Sequence, residues 1–180
     1  MKCEFPFAPR RASARLRRVI VGILSDTHDR VDAMAAAMRV LRGRGAEFFV
    51  HCGDVGSERV LDHLAGVPAA FVFGNTDWDR AALARHAAHL GVGCHPSMAD
   101  LELGGKKIAV THGDDPRLKQ RILAEQRHDY LLHGHTHVRA DETFGRTRVI
   151  NPGALHRAKE KTVATLDTES GKVAFVVVSV

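Results

Sequence analysis

Short apolar runs that end abruptly in polar residues recur along the chain. Val19 to Leu24 (VIVGIL) is a β-branched run with the character of a buried strand, and it ends in Ser25-Asp26-Thr27-His28-Asp29. Behind it, Val31, Met34, Ala35, Met38 and Leu41 fall at helical spacing, and Gly43 and Gly45 stop the pattern. Strand, polar turn and helix make one βα unit. Phe48-Phe49-Val50 repeats it, running into His51-Cys52-Gly53-Asp54 and a short helix near Glu58 to Leu64. Ala69 to Phe73 repeats it again into Gly74-Asn75-Thr76-Asp77, followed by a helix over Trp78 to Leu90 with Asp77 or Asp79 as its cap. Trp78 then reads as a core contact at the start of that helix.

The second half changes character. Met98 to Leu103 and Lys106 to Thr111 flank Gly104-Gly105, the pattern of a hairpin with a two-residue turn, and the second strand ends at Thr111-His112-Gly113. A helix over Pro116 to Glu125 follows, with proline in its first turn, and Tyr130-Leu131-Leu132 runs into His133-Gly134-His135-Thr136-His137. Strands near Thr147 to Ile150 and Thr162 to Leu166 precede a last hairpin through Ser170-Gly171 into Val173 to Val178. Helices alternate with strands early and strands dominate late. This predicts an α/β (α+β) fold, a two-sheet β-sandwich flanked by helices. Each polar turn lies at the C-terminal end of a strand, where open α/β sheets hold their ligands.

Composition refines this picture. At 180 residues and 44% hydrophobic the chain fits one domain with a proper core. The net charge of +5 is concentrated at the start, where Arg10, Arg11, Arg15, Arg17 and Arg18 lie among Pro and Ala with no apolar run long enough for a signal peptide. Residues 1–18 are therefore expected to be a basic, disordered or loosely docked tail and 19–180 the folded domain. The tail reads either as a solvated extension or as an arm that steers RNA or phosphate. Cys3, Cys52 and Cys94 show no paired framework, which implies a reducing compartment. No run approaches the roughly 18 apolar residues of a membrane span, so a soluble cytoplasmic protein without a membrane partner is expected.

Twelve histidines are unusual for this length, and their placement is informative. Asp26, His28, Asp54, Asn75, His112, His135 and His137 all follow strands, whose termini are held by the sheet and converge from distant parts of the chain. In extended backbone, residues two apart project to one side, so Asp26 and His28, or His135 and His137, can reach one metal or two neighbouring ones. Carboxylates and imidazoles together suit Mn²⁺, Fe²⁺, Zn²⁺ or Ni²⁺, whereas calcium or magnesium calls for mostly oxygen donors. The absence of a cysteine pair disfavours structural zinc. His51, Asp77, Asp114, Asp115 and His133 stand beside these residues and read as groups that orient ligands or lie on the surface. Cys52 reads as a small buried apolar residue.

The series Ser25-Asp26-Thr27-His28, Gly53-Asp54, Gly74-Asn75, Thr111-His112-Gly113, Gly134-His135-Thr136-His137 and Asn151-Pro152-Gly153 resembles the calcineurin-like metallophosphoesterase superfamily. Over residues 19 to 178 it is most similar to small single-domain bacterial and archaeal phosphodiesterases of the YfcE type. The resemblance implies the metallophosphoesterase fold and hydrolysis of a small phosphate ester by a hydroxide bridging two divalent cations, Mn²⁺ being favoured over Ni²⁺, Fe²⁺ or Zn²⁺. It implies one metal on Asp26, His28, Asp54 and His137 and a second on Asp54, Asn75, His112 and His135, with Asp54 bridging. Asp54, Asn75 and His112 are in addition the candidate catalytic residues.

One position departs from the wider pattern. Many larger relatives have histidine directly after Gly-Asn, where this chain has Thr76, which cannot act as an acid near neutral pH. The superfamily also includes a retromer subunit that uses the fold as a protein-binding scaffold, and the two-metal logic is shared with nucleases. Every ligand position here holds a competent residue, which favours an enzyme over a scaffold. No second domain is evident to hold a strand, so a nucleic-acid partner is possible but not favoured, and a homo-oligomer is open.

Overall fold

The computed structural model describes residues 17–179. The expected basic tail lies outside the described residues except for Arg17 and Arg18, which pair with Glu47 and Asp167 on the folded body.

Two sheets face each other. The first has six strands in the order β11-β10-β1-β2-β3-β4. They are β1 (Ile20–Leu24), β2 (Phe48–His51), β3 (Ala69–Val72), β4 (Gly93–His95), β10 (Thr162–Asp167) and β11 (Val173–Val177). The strands β1 to β4 run parallel, and β10 and β11 join antiparallel beside β1. The second sheet has five strands in the order β5-β6-β7-β9-β8. They are β5 (Met98–Leu103), β6 (Lys106–Thr111), β7 (Tyr130–Leu132), β8 (Ala140–Phe144) and β9 (Thr147–Asn151), of which β6, β7 and β9 are parallel.

Alternation along each strand sorts side chains into two cores. Val21, Ile23, Val50, Cys52, Ala70 and Val72 point inward against Ala99, Ile108, Val110, Leu132 and Ile150 of the other sheet. Their neighbours Leu24, Phe49 and Phe71 point outward beneath Met34, Met38 and Leu41 of helix α1 (Val31–Gly43). The short α2 (Glu58–Leu61), which continues as a 3-10 turn, and α3 (Arg80–Leu90) complete that layer. On the far face, Leu118 and Ile122 of α4 (Pro116–Glu125) cover Ala109, Leu131 and Val149. Strands buried on both faces must be apolar throughout, which is why their runs were visible in the sequence.

The hairpin through Gly104-Gly105 has Leu103 opposite Lys106, with both glycines at positive φ (56° and 73°), as a type I′ turn requires. Two strands carry no apolar signal. The strand β4 is three residues (Gly-Cys-His) at the sheet edge, and β8 (Ala-Asp-Glu-Thr-Phe) is an exposed edge. Trp78 is a correction: Asp79 caps α3 by accepting from the Ala82 N–H, so Trp78 precedes the helix and is 87% exposed instead of packing in the core. No described helix is long and apolar enough to cross a membrane.

Candidate metal centre

The parallel strands of both sheets end on one side of the sandwich, and their loops interlock. Asp26 N–H bonds the Gly53 carbonyl (3.0 Å), His28 N–H that of Asp54 (2.9 Å) and Gly134 N–H that of His112 (2.9 Å). These bonds extend the sheet ladders past the strands and hold the polar turns against one another. Asp26 and His28 come from the end of β1, Asp54 from β2, Asn75 from β3, His112 from β6, and His135 and His137 from β7.

Five of these side chains converge. His137 Nε2 lies 3.2 Å from Asp26 Oδ1, and Asp54 Oδ2 lies between His28 Nε2 (3.5 Å) and His112 Nε2 (3.3 Å). Asp26, His28 and His137 form one group able to hold a cation, and Asp26, Asp54 and His112 form another that shares Asp26. Asn75 and His135 flank them. Asn75 Oδ1 is 3.1 Å from His112 Nε2, and the His135 ring meets the His112 ring edge-on at 5.1 Å while the His135 backbone N–H donates to Asp26 Oδ2 (3.1 Å).

The backbone is strained where it presents these residues. Asp26, His28, Asp54, His135 and His137 all have positive φ, between 46° and 67°. Non-glycine residues adopt this region at a cost of about 1 kcal/mol or more each, and such strain collects at functional sites. Close approach matters as well: a Cβ added at Gly134 would collide with Ser25 Oγ, and one at Gly74 would collide with Asp54 Oδ1.

Buried polar atoms test whether a cation fits. Asp26 Oδ1 and His28 Nε2 are buried and have no hydrogen-bond partner. Burying a polar atom unpaired is costly, and a carboxylate more so, unless something satisfies it. Two carboxylates and three imidazoles facing one another are the donor types that suit divalent cations. The residues present therefore fit a metal.

Hydrogen bonds fix the tautomers. His112 Nδ1 lies 2.8 Å from the Cys52 carbonyl, which only accepts, so Nδ1 carries a proton and Nε2 is the ring atom that faces Asp54 and Asn75. Burial pulls the His112 imidazole down, but its hydrogen bond and charge interaction with Asp54 outweigh this and raise it to about 8. Burial works against the Asp54 carboxylate, yet His112 and the Thr76 N–H (2.8 Å) hold it well below the usual range. His28 moves the other way, lowered by burial despite Asp54 and Asp26 nearby.

The neighbouring residues divide by contact. His51 accepts from the Gly53 N–H at Nδ1 (3.2 Å) and faces Thr27 Oγ1 with Nε2 (2.7 Å); burial keeps it neutral, with its pKa lowered to about 3. Asp77 accepts from the Gly56 and Gly74 N–H groups (2.9 and 2.8 Å), tying two site loops together. His133 donates to the Gly134 carbonyl (3.1 Å), and Lys119 Nζ lies 3.0 Å from its Nε2. Asp115 instead caps α4. The buried Cys52 thiol is pushed up well above its ordinary range, which leaves it inert. Sequence reading missed His156, whose ring lies 5.4 Å from that of His28; no strand end or ligand spacing marks it.

A two-sheet α/β sandwich with an Asp/His cluster at the strand ends defines a phosphoesterase-type metal fold. The profile of the calcineurin-like phosphoesterase superfamily domain matches residues 19–171, and the chain belongs to that superfamily. It is similar to phosphodiesterase MJ0936 of Methanocaldococcus jannaschii, at 28% identity over 154 residues, covering 83% of this chain and 93% of the relative. Among solved structures, an archaeal phosphodiesterase superposes with a TM-score of 0.83 at 26% identity, covering 89% of this chain and all (100%) of that one. The phosphoesterase Yfce of E. coli shares the fold, with a TM-score of 0.63 at 20% identity and coverage of 89% and 100%. Membership of this superfamily and relatives named phosphodiesterase support a hydrolase.

Proposed function

We propose that the chain is a dinuclear-metal phosphodiesterase acting on small phosphate esters. One divalent cation is assigned to Asp26, His28, Asp54 and His137, and the second to Asp54, Asn75, His112 and His135, with Mn²⁺ the favoured ion. The observation that carries this reading is the pair of buried atoms without a hydrogen bond, Asp26 Oδ1 and His28 Nε2, set where Asp54 and His112 also converge.

Bound divalent cations at such a site acidify water and neutralise charge that develops on phosphoryl oxygens. The chain's own residues set the geometry for this. Asp54 Oδ2 faces both His28 and His112, the position a carboxylate shared between two cations needs, while its Oδ1 is held by the Thr76 N–H. His112 commits Nδ1–H to the Cys52 carbonyl, which leaves Nε2 as the ring atom that would hold a cation. The Asn75 amide oxygen adds a neutral donor, so the second group carries less negative charge than an all-carboxylate site. Thr76 Oγ1 lies 3.3 Å from His28 Nδ1, where it orients the ring and supplies no acid.

A panel of bis(p-nitrophenyl) phosphate and p-nitrophenyl phosphate, run with Mn²⁺, Ni²⁺ and Zn²⁺ on metal-stripped protein, tests the assignment. Metal-dependent turnover with a preference for the diester is expected, and Asp54→Ala should lower it by on the order of a hundredfold or more. Turnover that needs no metal, or full activity in Asp54→Ala, would overturn it.

A further inference from the structure

A cleft of ≈ 540 Å³ opens directly beside His137 and is bordered by Arg139, Arg157, Lys159 and Glu160. Three cations and one carboxylate make its wall basic. Arg139 is paired with Glu160 (3.7 Å), so its charge is largely answered. Arg157 and Lys159 have no carboxylate partner among the described residues.

The loop that carries them is anchored. Asn151 Oδ1 accepts from the Gly153 N–H (2.9 Å) and Thr162 Oγ1 donates to the Pro152 carbonyl (2.8 Å), which fixes both ends of the segment. Arg157 itself is a non-glycine residue at φ 51°, a conformation that persists only where its surroundings impose it. Exposed arginines and lysines are ordinary on a basic protein, but Arg157 and Lys159 line the same cleft as His137. By contrast, the cleft of ≈ 590 Å³ beneath α4 is lined by Asp100, Glu102 and Glu125 as well as Lys107, Arg121 and Arg127, and its charges balance.

We propose that the cleft beside His137 is a subsite for a second phosphate of the substrate, with Arg157 and Lys159 as its cationic walls. Arginine suits this role because its planar fork matches phosphate oxygens. The proposal rests on the phosphodiesterase reading and narrows it to esters that carry a further phosphate near the reacting one.

Two esters test it: thymidine 5′-(p-nitrophenyl phosphate) and the same molecule bearing a 3′-phosphate. Both release nitrophenolate from the same group. The 3′-phosphate should lower KM about tenfold, and the Arg157→Ala/Lys159→Ala double variant should bring the ratio of the two KM values close to one. Arg157→Lys should recover part of the ratio. Calorimetric titration with thymidine 3′,5′-bisphosphate and thymidine 5′-monophosphate gives the same comparison without turnover. A dinucleotide arm separates a small bisphosphate from a strand, since equal dependence on the two cations there assigns the second phosphate to a strand. A wild-type ratio near one in both KM and Kd, or a ratio unmoved in the double variant, overturns the subsite. Hydrolysis with equal KM values would sink the subsite and leave the phosphodiesterase; a retained Kd ratio without hydrolysis would do the reverse.

Discussion

Asn151 joins the loop carrying His135 and His137 to the turn that follows β9. Its side chain is fully buried, donating to the Gly134 carbonyl (2.9 Å) and Thr136 Oγ1 (3.0 Å) and accepting from the Gly153 N–H (2.9 Å). Asn151→Ala strands the buried Gly153 N–H, at about 1–3 kcal/mol, and removes one of the three donors to the Gly134 carbonyl, His133 Nδ1 and the Thr136 N–H being the others, at about 1 kcal/mol. Thr136 is exposed, so water replaces that contact. The expected loss is about 3 kcal/mol, read from urea unfolding of chelator-treated protein as a shift in midpoint with an unchanged slope. Asn151→Asp keeps the acceptor for Gly153 but turns an anionic oxygen toward the Gly134 carbonyl, and should be at least as unstable at pH 7. Because Gly134 precedes His135, metal affinity should fall about tenfold as well. A loss below about 1 kcal/mol in Asn151→Ala would refute this role.

Other outcomes follow from single contacts. His51 is neutral in the fold, with a pKa of about 3 against 6.5 when exposed, so unfolding takes up a proton as pH falls below 6.5. Its contribution to stability is complete above pH 6.5 and drains toward pH 3, by up to about 1.4 kcal/mol per pH unit. His51→Asn, which retains an acceptor for Gly53, should flatten the pH dependence between pH 6.5 and 4.5; identical slopes would contradict the assignment. Gly134→Ala should destabilise by about 1–3 kcal/mol through its clash with Ser25, whereas Gly43→Ala, at the open end of α1, should be neutral or stabilise by up to about 1 kcal/mol. Thermal melts of both variants decide between a steric and a generic effect of alanine. With Thr76 unable to protonate a leaving group, nitrophenyl esters should turn over on the order of a hundredfold faster than alkyl esters; comparable rates would point to an acid elsewhere.

The convergence of the candidate ligands was legible because each follows an apolar strand, and strand ends are where a sheet can gather residues from across a chain. The sandwich was legible for a related reason: β1, β3, β7, the Phe48–Val50 part of β2 and the Ile108–Val110 part of β6 pack between the two layers, so their sequences are apolar runs. The edge strands β4 and β8 were not, since a strand exposed on one or more sides needs no hydrophobic signature. Trp78 misled because tryptophan is usually at least partly buried, and the choice of Asp79 over Asp77 as cap was a matter of two residues. Asn151 was visible only as part of a motif; its purpose depends on a carbonyl far from it in sequence. His156 and Arg157 sit on a loop whose course no periodicity encodes.

Metal stoichiometry tests the central claim most directly. Mn²⁺-reconstituted protein, freed of excess ion and measured by mass spectrometry beside Asp54→Ala, should hold about two ions per chain, with the variant well short of that. Wild-type protein that retains no divalent cation, or a variant that binds as many as the wild type, would contradict a dinuclear centre bridged by Asp54.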